Sequence, residues 1–196
     1  MKAKVLTLLF VLITYISFAQ GYKENIKKRF NEFYSLTAAG DIEKSMDYIP
    51  DSFFAIIPKD KIIDALKQVM NNKNIEYKIL DHTITQIGES KLVANNYYSI
   101  LNYVSNIKMN FKDIDTIKTE DKKQTRLNLI KLSLSNNFGT DNVKLNNRTG
   151  TFAILAHKKA CAVSLNGQTD WKFINIEARQ RLILDKVLPK EIIESL

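Results

Sequence analysis

Two consecutive stretches decide the fold: Ile75–Ser90, IEYKILDHTITQIGES, and Lys91–Phe111, KLVANNYYSILNYVSNIKMNF. Both are rich in branched and aromatic residues, and Gly88-Glu89-Ser90 breaks one from the other. They predict two long antiparallel strands. Val93, Tyr97, Leu101, Tyr103 and Ile107 are read as one apolar-aromatic face of the second strand. Strands of this length, curling over helices placed earlier in the chain, would leave a hollow.

The preceding residues supply such helices. In YKENIKKRFNEFYSLTAAG, from Tyr22, the residues Tyr22, Ile26, Phe30, Phe33 and Thr37 recur at helical spacing, with Lys27, Lys28 and Asn31 on the other side. Gly40 is placed to stop this helix and Asp41 to cap the next. That next helix is short, with Ile42, Met46 and Ile49 as its stripe, and ends before Pro50. SFFAII, residues 52–57, reads as a brief strand closed by Pro58. Ile62, Leu66, Val69 and Met70 then line a third helix.

Residues 119–138 admit two readings. Leu127, Ile130, Leu134 and Phe138 form a helical stripe, with Glu120 and Asp121 suited to its start and Gly139 to its end. Ile130, Leu132 and Leu134 also alternate as in a strand, although the helical pattern is the stronger. DNVKLNN, TFAILAHK, ACAVSLNG and DWKFINIE follow as short strands separated by NRTG, HKK and NGQT. In DWKFINIE, Trp171, Phe173 and Asn175 point one way and Lys172, Ile174 and Ile176 the other. The lone tryptophan there is read as core, because a ring of that size supplies on the order of 150 Å² of buried area. A terminal helical segment carries Pro189 at a new helix start. The fold class is α+β, with N-terminal helices packed on a curved antiparallel sheet and a C-terminal helix.

The first twenty residues, MKAKVLTLLFVLITYISFAQ, combine a positive head (Lys2, Lys4), an apolar run and a small-residue end at Ser17-Phe18-Ala19. This is the pattern of a secretory signal, with cleavage expected after Ala19. The apolar run is shorter than the roughly 20 residues that span a bilayer, and no later segment is apolar enough to be transmembrane. The expected product is a single domain, residues 20–196, in the periplasm or outside the cell. Removing two lysines and no acids lowers the formal charge from +8 to +6. Cys161 is the only cysteine, so no intrachain disulfide can form, and its neighbours in KKACAVSL suggest a buried strand residue.

Two N-terminal helices, the AAGDIEKSMDYI junction, a short strand, a third helix and a long-stranded sheet together resemble the NTF2-like superfamily, also called cystatin-like or ketosteroid-isomerase-like. The run FGTDNV…TGTFAIL…KKACAV…WKFINIE…LP, and a signal ending in Ala19-Gln20, are similar to those of secreted Bacteroidetes-type proteins of unassigned function. The resemblance covers most of residues 22–196 on loose structural motifs. It implies a cone, a bent sheet wrapped around helices with a pocket at the open end. Lys118–Phe138 departs from the minimal pattern and would cover or narrow that mouth. The superfamily includes isomerases, dehydratases, cyclases and binding modules, so fold alone selects no function.

Motifs for chemistry are sparse. The chain has no phosphate-cradling glycine loop, no His-Glu-x-x-His, no paired Cys-x-x-Cys and no nucleophile elbow. No cofactor and no metal are expected. The lysine runs are short and mixed with acids, as on a solvated face, and aromatic residues do not interleave them, which argues against nucleic acid. Attraction to anionic polysaccharide or lipid stays open. The leading expectation is a non-enzymatic domain that holds a small apolar or amphipathic ligand, or a protein partner, on its concave sheet through Val93, Tyr97, Leu101 and Tyr103. One alternative is an isomerase-, dehydratase- or cyclase-type enzyme. It would use Asp81 or His82 as the base and a tyrosine such as Tyr97 to steady an oxyanion; the resemblance implies this type of pairing but fixes none of the positions. His82 is taken to share its strand face with Leu80 and Ile84. The other alternative is a scaffold that forms a homodimer through its sheet.

Overall fold

The computed structural model describes the backbone of residues 2–196 and the side chains of residues 21–177 and 179–196. The expected leader, residues 1–19, lies outside the described side chains. Helix α1, Lys2–Ala39, ends where Gly40 takes φ of +79°. The Gly40 N–H donates to the Thr37 carbonyl at 3.2 Å and the Asp41 N–H to the Leu36 carbonyl at 2.9 Å, a Schellman closure that only a residue tolerant of positive φ completes cheaply. Asp41, expected as a side-chain cap, makes no cap bond to α2, Ile42–Ser45. Its carboxylate instead binds Lys44 Nζ at 2.6 Å.

SFFAII forms no strand. It lies in α3, Asp51–Phe54, and the turn after it. Pro50 presets the entry, Asp51 sits in the first turn where the helix dipole favours an acid, and the few residues before Pro58 reach no strand edge. Helix α4, Lys59–Met70, follows the expected stripe but buries none of its residues; Val69 stays 60 % exposed.

The sheet has six antiparallel strands: β1, Ile75–Ile87; β2, Lys91–Val93; β3, Asn96–Phe111; β4, Val143–Asn146; β5, Thr151–Ser164; and β6, Lys172–Ile176. The strand order is β1-β3-β5-β4, with β2 on β3 and β6 on β5. Two details correct the sequence reading. Ala94 and Asn95 both take positive φ, +47° and +64°, so KLV folds back on Asn96–Tyr98 as a hairpin. HKK, expected to separate two strands, continues the fourteen-residue β5.

Each face is covered differently. Leu101, Tyr103, Ala160, Ala162 and Phe173 meet Tyr22, Ile26, Phe30, Phe33 and Tyr34 of α1. Farther along the same face, Ile107, Phe152, Ile154 and Ala156 meet α5, Glu120–Phe138. The helical reading of that segment is the correct one: Leu127, Ile130 and Leu134 are buried, whereas Leu132, needed inside by the strand reading, is 59 % exposed. On the reverse face, Tyr98, Cys161 and Ile174 lie under α6, Arg181–Val187, and α7, Lys190–Ile193, which follows Pro189. Trp171 has no exposed surface, lies 6.2 Å from Tyr22 centre to centre, and donates its indole N–H to the Gln168 carbonyl. It is a core residue. Among the described residues no helix is long and apolar enough to cross a membrane.

Burial pushes the Cys161 thiol up to about 12. At pH 8 iodoacetamide is therefore expected to leave Cys161 unmodified in the folded chain and to alkylate it fully in guanidinium; rapid labelling without denaturant would contradict this packing.

Candidate functional site

The face expected to hold a ligand is occupied by protein. Phe30 sits at its centre, ring-to-ring with Tyr103 at 4.9 Å, Phe173 at 5.1 Å and His82 at 5.6 Å. Leu101 and Tyr103 do share this face with the half-buried Tyr97, as expected. Val93 does not: the hairpin pairs it with Asn96 and packs it with Tyr98 against the C-terminal helices on the reverse side.

His82 and Asp81 are separated by the strand itself. A bulge between Ile79 and Asp81 displaces Leu80 outward, so His82 shares its face with Ile79 and Ile84, not with Leu80. The imidazole is half-buried, stacked 3.8 Å from Tyr34, with Nε2 2.8 Å from Asn31 Oδ1. Burial lowers its pKa, against the opposing pull of Asp81. The Asp81 carboxylate takes the amide of Asn106 on the other face. Tyr97 lies eight residues along β3 from His82's partner Ser105, roughly 26 Å away at strand rise, and so cannot meet the imidazole.

The tyrosines nearest His82 are Tyr34, which sequence reasoning did not single out, and Tyr103. Both hydroxyls are engaged. Tyr34 bonds Ser105 Oγ and donates to the Asp81 carbonyl at 3.1 Å, and Tyr103 donates to Asn175 Oδ1 at 3.2 Å. Burial raises both phenols, which keeps them neutral. Lys158 on the same face pairs with Glu177. In this polar seam between the α1 and α5 contacts the tyrosine hydroxyls and the Lys158 ammonium are each bonded to a protein partner.

A cavity of about 430 Å³ lies instead on the reverse face, at the β2–β3 hairpin end. Its floor is Tyr98 of β3, Val163 of β5 and Ile174 of β6, and Val187 and Leu188 at the end of α6 lean over it. Its rim is polar: Asp51 at the start of α3, Asn96, Asp170 and Lys172. Lys172 Nζ is 3.0 Å from Asp51 Oδ1, tying α3 to β6 across one side.

The β5–β6 loop forms the opposite wall and is held by its own bonds. Ser164 Oγ donates to the Thr169 carbonyl at 2.6 Å, and Asn166 Oδ1 accepts the N–H groups of Gln168 and Thr169. Gly167, at φ of +70°, passes so close to Tyr97 that a Cβ would lie 2.7 Å from its ring. Leu165 projects from this fixed loop at the rim, 82 % exposed. No histidine or cysteine lines the cavity. It offers apolar area, hydrogen-bonding groups and two carboxylates, which is equipment for binding. Nothing in the one-dimensional pattern marked it, because its lining comes from four separated segments. No family model matches the chain, nor does any curated protein or solved structure.

The neutral, half-buried His82 sets a pH dependence. The unfolded chain takes up a proton near the ordinary histidine value of 6.5, before the folded chain does, so stability is lost as pH falls below that value. Replacing His82 by Gln is expected to flatten the fall in Tm between pH 7 and 5; an unchanged slope would place the imidazole in solvent.

Proposed function

We propose that the chain is an exported, non-enzymatic binding domain that takes a small amphipathic ligand in the cavity under α6, and not on the helix-covered face. The carrying observation is the pairing of an apolar floor with a polar rim in a cavity of about 430 Å³. Apolar enclosure with a few placed polar groups is the usual make-up of a small-molecule site. Tyr98, Val163 and Ile174 would take the apolar body of the ligand. Of the two rim carboxylates, Asp51 is engaged by Lys172, whereas Asp170 is in no ion pair among the described residues. A donor-bearing or cationic head group fits that end.

Export rests on the N-terminal sequence pattern, and the mature chain would begin at Gln20. Kinship with NTF2-like proteins is supported by the order of elements, helices first and then a long antiparallel sheet carrying α1 on one face. Helix α5 lies on that same face beyond α1, where the implied cone would open.

The reading is tested with a series of medium-chain alkylamines and the matching alkanoates as probes. The amines are expected to raise Tm saturably, more than the alkanoates do, and to shift NMR signals of Tyr98, Val163 and Ile174. Val163→Trp, which plugs the floor, is expected to abolish both effects while leaving the unliganded Tm within a few degrees. Probe-induced shifts centred on Tyr103 and Phe30 instead would refute the assignment.

A further inference from the structure

The C-terminal helices cover only part of the reverse face. They stop near Lys159, whose ammonium donates to the Leu196 carbonyl at 2.7 Å. Beyond that point β1, β3, β5 and β4 present side chains to solvent. One rung of this open region runs Lys78, Lys108, Ala153, Lys144: Lys78 pairs in register with Lys108, Lys108 with Ala153, and Ala153 with Lys144. Three lysine positions thus line up across four strands, over about 14 Å at the usual strand spacing.

The juxtaposition of Lys78 and Lys108 is itself repulsive. Like charges directly opposite each other on antiparallel strands repel. None of the three lysines is in an ion pair among the described residues. Two carboxylates stand on the neighbouring rungs, Glu76 bonded by Asn110 at 3.3 Å and Asp81 by Asn106; both keep their charge, but neither pairs with any of the three lysines among the described residues. Lysines on the outer strands β1 and β4 also serve to guard a sheet edge. Lys108 is on β3, which is paired on both sides, so edge protection does not account for it.

Apolar side chains accompany the charges. Leu80, thrown outward by the β1 bulge, is 52 % exposed, and Leu155 on β5 is 38 % exposed. They flank a shallow depression of about 340 Å³ lined also by Lys144 and by Asp81, whose carboxylate is bonded to Asn106. A soluble polyanion would need only the lysines. A surface that offers anionic head groups beside acyl chains fits both parts.

We propose that this open part of the sheet docks the protein onto an anionic lipid bilayer, with Lys78, Lys108 and Lys144 on the head groups and Leu80 and Leu155 entering the interface. Each lysine near such a surface adds roughly fivefold to partitioning, so three together contribute on the order of 100-fold.

Co-sedimentation of the full chain with vesicles tests this, using equimolar phosphatidylglycerol and phosphatidylcholine against phosphatidylcholine alone. Pelleting is expected only with the anionic vesicles in 0.1 M salt, with release in 0.5 M salt. K78Q/K108Q/K144Q should lose on the order of 100-fold in partitioning. K27Q/K28Q/K61Q, which removes as many charges elsewhere, should lose much less. Lys78→Glu is the sharpest variant: it relieves the repulsion with Lys108 and is expected to raise Tm by about 1–3 °C while vesicle binding falls. Four results overturn the proposal: no pelleting of the wild type, equal binding to neutral vesicles, equal losses in the two triple variants, or retention on a heparin column with no vesicle binding. The last assigns the lysine row to a soluble polyanion.

Discussion

The structure depends on one aromatic contact, the seating of Phe30 on the sheet. Its ring has no exposed surface and is surrounded by Phe33, Tyr34, His82, Tyr103 and Phe173. The contact is possible because β5 offers small residues at the helix-facing positions Ala160 and Ala162, which let a ring-bearing helix approach the backbone closely. Trp171 and Tyr22 close one end of the contact and α5 covers the sheet beyond the other. Burial of this much aromatic surface is a dominant stabilising term for a domain of this size.

That seating decides where function can lie. The sheet face under α1 and α5 is covered by their side chains, and its polar groups bond to one another: Tyr34 to Ser105, Tyr103 to Asn175, Lys158 to Glu177. What remains accessible is the reverse face. The short C-terminal helices divide it into a partly roofed cavity with an apolar floor and an open stretch carrying the lysine row. The two sites proposed above draw on different parts of this face and stand or fall separately.

The sequence revealed faces better than connections. Tyr97, Leu101, Tyr103 and Ile107 on β3, Phe173 and Asn175 on β6, and Trp171 just before β6 lie together on the helix side, as alternation requires. Alternation alone puts Val93 on the helix side, but the turn at Ala94-Asn95, with positive φ and no glycine to announce it, carries it to the reverse face. Leu80 leaves the His82 face because of a bulge, which alternation cannot register. HKK resembled a turn because His157 and Lys159 face the open side, while Lys158 is polar for the sake of Glu177. SFFAII shows the opposite failure, a strand-like composition in a segment bounded by prolines with no edge to join. The cavity was illegible for a different reason: Pro50, Tyr98, Val163 and Leu188 are neighbours only after folding.

The most direct measurement is the stability of Phe30→Ala by guanidinium unfolding, with hydrogen exchange along α1. If the helix-covered face is packed solid, the substitution should cost about 3–5 kcal/mol and raise exchange throughout residues 22–38. A cost below about 1 kcal/mol with unchanged protection would mean that the ring borders a hollow, and would return the search for a ligand to the helix side of the sheet.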